Sequence, residues 1–297
     1  MLKRMRSFLV LVMLFIAVTM SAQVTTATMS GKVTAQDEPI IGATVVAVHE
    51  PSGTRYGTVT NVSGQFNLQG MRTGGPYKVE ISYVGYQTAI YKGINLLLGE
   101  NYVLNVSLKE SSELLDEVVV TASKESNMKS DRAGAIMNAN RDMINSTPTI
   151  SRSISDIMRL SPQGADVGNG FAVGGGNYRQ SFVTVDGAAF NNTFGLGGNL
   201  PANGSPISLD ALEQVTVAVT PFDVRQSGFT GGAINAVTRS GDNQFRGTAY
   251  MYFNNENLKG SKVDDYELLR SKAQYYTYGA SFGGPIIKDK LFFFVNG

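Results

Sequence analysis

Apolar and polar residues alternate with a period of two over several stretches of this 297-residue chain, and that alternation constrains its fold most. It is clear in Lys78-Val79-Glu80-Ile81-Ser82-Tyr83. It recurs in Tyr102-Val103-Leu104-Asn105-Val106-Ser107-Leu108, where Val103 is the one apolar residue on the outward face. Successive side chains of a strand point to opposite faces, so each run reads as a strand with one face on a core and one in water. The run Ile40 to Val48, with Val45, Val46 and Val48, reads as a more buried strand. Turn signals separate the runs at Asp37-Glu38-Pro39, Pro51-Ser52-Gly53, Ser63-Gly64 and Thr73-Gly74-Gly75-Pro76. Residues 28–109 are therefore expected to form a small β-sandwich able to bury a core.

What the chain lacks narrows its chemistry. There is no Cys, so no disulfide framework, thiol nucleophile or thiolate metal site is available. Lys3, Arg4 and Arg6 precede the apolar run Phe8 to Val18, and Ser21-Ala22-Gln23 follows it. A basic start, a short apolar core and small residues after it make a secretory leader over 1–22, with 23–27 a short linker. The apolar core is shorter than the ~20 residues that a spanning helix needs. With those three bases set aside, the 25 Lys and Arg fall slightly below the 24 Asp and Glu. A near-neutral chain with no concentrated basic patch is not a nucleic-acid binder. Few charges (16%), 33 Gly, 13 Tyr and 15 Phe fit β-structure rich in turns.

Two further units follow. In residues 125–241, Ser151 to Leu160 places Ile154, Ile157, Met158 and Leu160 at helical spacing, and Ser161-Pro162 ends that helix. Strand-like pieces lie at Ser181–Val185, Gln214–Val219 and Ala233–Val237 among Gly-rich loops, which suggests an α+β unit. In Gln244–Phe253 the odd positions are Phe245, Gly247, Ala249, Met251 and Phe253, and the even positions are Gln244, Arg246, Thr248, Tyr250 and Tyr252. Alternation over ~10 residues with aromatics near the ends is the pattern of a transmembrane β-strand. Asn254 to Arg270 reads as a solvent-facing loop, Ser271 to Gly283 as a second strand, Gly284 to Lys290 as a turn, and Leu291 to Val295 as a third strand.

Between sandwich and α+β unit stands Asp116-Glu117-Val118-Val119-Val120-Thr121-Ala122. Three β-branched residues in so short a run favour an extended strand. It is either the last strand of the sandwich or a segment that pairs with another protein's sheet edge.

These residues also carry a resemblance. "SGKVTAQDEPIIGATVVAV", "TNVSGQFNL" and "YKVEISYVGYQT" resemble the carboxypeptidase-regulatory-like domain that precedes many TonB-dependent outer-membrane proteins of the Bacteroidetes. Where that family has Thr-Asp, this chain has Thr60-Asn61, and Asn keeps the acceptor of an Asx turn. Leu212 to Val217, Pro221-Phe222 through Gly228, and Gly231-Gly232-Ala233-Ile234-Asn235-Ala236-Val237-Thr238-Arg239 resemble the last part of a TonB-dependent-receptor plug. "FVTVDG", ending in Asp186-Gly187, resembles an earlier plug strand and turn. Gly231 and Gly232 suit a close backbone approach or positive φ. Asn235 and Thr238 are expected to bond the polar wall of a barrel lumen. Thr220-Pro221-Phe222-Asp223 and "GGPIIKDKLFFFVNG" resemble the Oar-like branch more than the SusC-like one.

The resemblance implies a β-rich multidomain protein with a transthyretin- or Ig-like β-sandwich (28–109), a linker holding the TonB box (110–124), an α+β plug (125–241) and the first strands of a transmembrane β-barrel (242–297). Asp116 to Ala122 would be that box. The implied partners are TonB with ExbB and ExbD, and the outer membrane, with the sandwich in the periplasm; a surface lipoprotein partner stays open. Three strands cannot close a barrel, so the chain is expected to be an N-terminal part of a longer protein.

Other chemistry finds little support. His49 is the only histidine, so a three-histidine zinc site is impossible, and beside Glu50 and Pro51 it reads as an exposed strand-end residue. Asp264, Asp265 and Glu267 read as a solvated loop face. Gly168-Asn169-Gly170 and Gly174-Gly175-Gly176 lack the Lys-Ser/Thr of a phosphate loop. No catalytic residue, metal or cofactor is expected. The competing reading, from another class, is a surface module that binds carbohydrate or protein without active transport.

Overall fold

The computed structural model describes residues 25–111, 118–121, 136–149, 152–167, 170–190, 207–219, 231–258, 260, 262–264, 266–267 and 272–297. The expected leader lies outside them.

The first nine strands build a sandwich. They are β1 (Ala27–Ala35), β2 (Glu38–Pro39), β3 (Thr44–His49), β4 (Thr54–Val59), β5 (Gln65–Met71), β6 (Gly74–Ser82), β7 (Ala89–Leu96), β8 (Asn101–Val103) and β9 (Val106–Ser107). One sheet runs β2-β1-β5, with β8 and β9 parallel to β1; the other runs β7-β6-β3-β4. Alternation supplies the core between them: Met29, Val33, Val45, Ala47, Leu68, Tyr77, Val79, Ile81, Ile94 and Leu96 are buried. Fully burying one such side chain stabilises by ~1.5–3 kcal/mol. Tyr77 buries its ring and its hydroxyl donates to the Arg72 carbonyl at 2.7 Å, so no polar atom is stranded.

Two local expectations change. The run Ile40 to Val48 is not buried on both faces: the strand starts at Thr44, and Val46 and Val48 are only half-buried. The strand expected over Tyr102 to Leu108 breaks into β8 and β9 where the Leu104 amide donates to Ser30 across Gly31. A Cβ on Gly31 would lie 1.8 Å from the Leu104 carbonyl oxygen, so only glycine admits this crossing. Asn61 does form its Asx turn, with Oδ1 accepting from the Ser63 and Gln65 amides at 3.0 and 2.9 Å.

The strand β10 (Val118–Thr121) joins the sandwich sheet at its β7 edge, in parallel register from Val118↔Ala89 to Thr121↔Lys92.

The central unit is a sheet ordered β11-β16-β17-β14-β15. Its strands are β11 (Ile136–Ala139), β14 (Phe182–Val185), β15 (Ala188–Ala189), β16 (Leu212–Ala218) and β17 (Ala233–Thr238). Helices α1 (Arg141–Ser146) and α2 (Ile154–Met158) and a small hairpin of β12 (Gly164–Asp166) with β13 (Phe171–Val173) complete it. Ile144, Ile154, Ile157, Met158, Val183, Val185, Val215, Val217 and Ile234 form its core. The helix expected over Ser151 to Leu160 spans only Ile154–Met158, because Arg152 takes φ 48 and Ser153 caps the turn.

Three antiparallel wall strands follow: β18 (Arg246–Asn255), β21 (Gln274–Ile287) and β22 (Leu291–Asn296). A short hairpin, β19 (Lys262–Val263) with β20 (Tyr266–Glu267), lies between the first two, where a plain polar loop is expected. The second strand also runs further than expected, through Gly284-Pro285. Proline has no N–H to give, and the register with β22 shifts between Pro285 and Ile287 to accommodate it. One face gathers Phe245, Phe282 and Phe293, with ring centroids 5.6–6.4 Å apart, and Phe253 against Tyr276 at 4.9 Å. Phe245, Met251, Tyr278, Phe282 and Val295 are more than half exposed. The sandwich meets this region through Asn243, whose amide donates to the Pro51 carbonyl at 2.9 Å and whose side chain bonds Asp289 at the β21–β22 turn.

Candidate functional site

The Asp186-Gly187 pair makes the β14–β15 turn. Both residues have positive φ, 49 and 81, as a two-residue hairpin with right-handed strand twist requires. The Asp186 carboxylate then accepts from the Thr238 amide at 2.9 Å and the Thr238 hydroxyl at 2.6 Å, which ties the turn to the end of β17. Gly232 enters β17 against Val173, and a Cβ there would lie 2.4 Å from the Val173 side chain. A Cβ on Gly231 would meet the Gln180 carbonyl at 3.1 Å. Close approach, not positive φ, is what both glycines serve.

Four polar residues share one register across this sheet: Asn138, Thr216, Asn235 and Thr184, on β11, β16, β17 and β14. All four are buried. The Thr216 hydroxyl donates to Asn138 Oδ1 at 2.5 Å, and the Thr184 hydroxyl to Asn235 Oδ1 at 2.6 Å. Cross-strand pairing satisfies groups that would otherwise be costly to bury. Asn235 and Thr238 therefore bond within the central unit, not to a barrel wall as expected. The two residues lie three apart on β17 and so face opposite sides of the sheet, Asn235 toward Thr184 of β14 and Thr238 toward Asp186 of the β14–β15 turn.

The first contact with the wall falls to Arg152 and Asp210, which sequence reasoning missed. Arg152 donates through Nη2 to Asp210 Oδ1 at 2.5 Å and through Nε to Asp210 Oδ2 at 3.2 Å. This fork-to-fork pairing orients the guanidinium as well as binding it. Its third nitrogen, Nη1, donates to the Tyr252 hydroxyl at 3.2 Å, and the cation lies 4.3 Å from the Tyr250 ring centroid. Asp210 is held in turn by Ser208, whose Oγ accepts from the Asp210 amide at 3.2 Å. The Leu209 amide donates to the Arg152 carbonyl at 3.2 Å, fixing the backbone behind the pair. Gly279 on β21 leaves room for the Tyr250 ring, since a Cβ there would come within 2.5 Å of the Tyr250 hydroxyl. The even parity of Tyr250 and Tyr252 on β18 was legible; their partner, about 100 residues earlier, carried no local signal.

Arg239 makes a second link. Its amide donates to the Ala211 carbonyl at 2.7 Å and its guanidinium stacks 5.0 Å from the Phe294 ring on β22. Burial, with the neighbouring Arg141 adding to it, lowers the Arg239 pKa. Arg239 also lines a cleft of about 450 Å³ between sandwich and central unit, together with Arg72, Arg141 and Glu213. His49 lies at the floor of that cleft. It is buried, not exposed as expected: it ends β3 on an inward position, bonds Ser52 Oγ through Nδ1 at 2.7 Å, and packs tilted against Tyr77 with ring centroids 5.0 Å apart. Burial first, then Arg72, lower its pKa to about 4 against a weaker upward pull from Asp242.

Of the expected box, Val118, Val119, Val120 and Thr121 form β10; Asp116, Glu117 and Ala122 lie outside the described residues. Of the expected plug motif, Asp186, Gly187, Gly231, Gly232, Asn235, Thr238 and Arg239 come together around β17, while Pro221, Phe222 and Gly228 lie outside the described residues. Among the described residues no group of three His, Asp or Glu is placed to hold a metal ion.

The carboxypeptidase regulatory-like domain family matches residues 28–109, and an outer membrane beta barrel domain family matches residues 237–297. The TonB-dependent transporter Oar of Myxococcus xanthus is 31% identical over 153 residues, 49% of this chain and 14% of its own length. The TonB-dependent receptor SusC of Bacteroides thetaiotaomicron is 29% identical over 269 residues, 86% of this chain and 24% of its own length. Among solved structures, the siderophore receptor PirA of Acinetobacter baumannii is similar at a TM-score of 0.42 and 20% identity, covering 55% of this chain and 24% of that one. The chain thus spans under a quarter of the length of these relatives. With a carboxypeptidase regulatory-like match at one end and an outer-membrane β-barrel match at the other, the chain is similar to the TonB-dependent outer-membrane receptors.

Proposed function

We propose that the chain supplies the energy-coupling and gating parts of an outer-membrane transporter. The central unit is the plug, the strands β18, β21 and β22 begin the barrel around it, and Asp116 to Ala122 is the TonB box through which TonB, with ExbB and ExbD, pulls. The sandwich stands on the periplasmic side. No bond is made or broken in this role, and no cofactor is needed. The observation that carries the reading is the Arg152 bridge from Asp210 to Tyr250 and Tyr252, which fastens the central unit to the polar face of the first wall strand. A bridge of hydrogen bonds and ring contact holds at rest and yields to force without unfolding the wall.

Calorimetry of the whole chain in detergent against the TonB C-terminal domain tests the coupling half. Binding is expected for the wild type and should vanish in Val119→Pro, which removes a strand donor. A second reading has its own support: β10 pairs with β7, as a last structural strand of the sandwich would. If the wild-type chain shows no heat with TonB, that reading prevails and the chain is a surface-binding module.

A further inference from the structure

The strand β10 is the outermost strand of the sheet β10-β7-β6-β3-β4, and its pairing with β7 occupies one of its two edges. An edge strand presents a row of N–H and C=O groups ready to pair with another chain. We propose that the β7 edge of the sandwich is a seat for Val118–Thr121, holding the segment extended so that a partner's strand adds to its outer edge as the sixth strand of the sheet. The occupant of the seat is this chain's own segment, and the partner is the TonB-type protein of the preceding section; the inference rests on that reading.

Three observations support it. The register is continuous over four residues, Val118↔Ala89, Val119↔Ile90, Val120↔Tyr91 and Thr121↔Lys92. The chain passes beside the start of that register, because the Gln87 amide donates to the Lys109 carbonyl and the Ser111 amide to the Gly85 carbonyl in an antiparallel bridge just ahead of Ala89. And β7 runs on from there to Leu96, at the cleft against the central unit, so a parallel β10 runs from the far end of the sandwich toward the central unit. Strand addition draws its affinity from main-chain hydrogen bonds, and its main cost is ordering the strand. A seat that has already ordered the strand removes that cost.

The test uses the absence of cysteine in the chain. Thr121→Cys with Lys92→Cys puts two thiols on directly paired residues of adjacent strands, within the Cα separation that a disulfide spans. Oxidation then locks the segment on its seat, and dithiothreitol releases it. Binding of the TonB C-terminal domain is measured in both states. The seat requires the locked chain to bind at least as tightly as the reduced one, and roughly fivefold tighter if fixing even one residue's backbone is saved. Loss of binding on oxidation, restored by reductant, would overturn the proposal and show that β7 and the partner compete for the same edge. Failure of the disulfide to form would overturn it by denying the pairing itself. Absence of binding in wild type, locked and reduced chains alike would instead bring down the TonB-box reading beneath it.

Discussion

Acid should destabilise the sandwich through a single residue. His49 has an ordinary pKa of 6.5 when unfolded and about 4 in its folded site. Between those values the unfolded chain binds a proton that the folded chain refuses, so stability rises with pH there. The contribution of a neutral His49 is complete above about pH 6.5 and is lost as the pH falls toward 4. A gap from 6.5 to about 4 converts to roughly 3 kcal/mol, a large part of the stability of a small domain. The cause is visible in the packing. The residue is 4% exposed, wedged against Tyr77 and bonded to Ser52, with the Arg72 guanidinium near enough to repel a second cation. It is also the only histidine in the chain, so its imidazole gives one unambiguous NMR resonance in an untagged protein. The resonance should titrate near pH 4. Denaturant unfolding at pH 7 and pH 4.5 supplies the energy: the stability gap between wild type and His49→Gln should shrink by about 2–3 kcal/mol on acidification. A titration midpoint near 6.5, or a gap that does not change with pH, would show that the burial argument is wrong.

Three sets of substitutions probe the central unit. Arg152→Gln and Asp210→Asn, alone and together, should give a coupling energy of about 2 kcal/mol, below the 3–5 kcal/mol of a fully buried pair because the Arg152 side chain is 24% exposed; a value under about 0.5 kcal/mol in urea unfolding would remove the bridge from the account. Gly232→Ala should cost about 1–3 kcal/mol through its overlap with Val173, and adding Val173→Ala should recover part of that loss, so strict additivity would refute the close-approach reading. Asp186→Ala should raise hydrogen exchange at the Thr238 amide and cost roughly 1–3 kcal/mol by stripping two hydrogen bonds from one carboxylate; unchanged exchange would mean the cap is idle.

Most of the architecture was legible because its signals are local. Alternation depends on residues two apart, so the strands β6 and β18 could be read where one face is apolar and the other polar. Turn chemistry is equally local: Asn61 and Asp186-Gly187 sit where their side chains and φ preferences demand. Elements that lack a local signal went unread. The strands β11, β12 and β13 are too short to show a period, and the helix expected over Ser151 to Leu160 shrinks because Arg152 is drawn into a left-handed conformation by partners far along the chain.

The sequence by itself determined the class of protein, the order of sandwich, central unit and wall strands, and the glycines and turn residues that β17 needs. Tertiary structure alone decided what touches what. It buried His49, which looks like an exposed strand end, because its parity on β3 aims it at Tyr77. It paired Asn235 with Thr184 and Thr238 with Asp186, and it gave the wall to Arg152 and Arg239. It also seated Val118 to Thr121 on the β7 edge, a choice that seven residues of sequence left open. Each of these depends on a partner tens of residues away, and the free energy of such a contact is set by geometry that no short window of sequence contains.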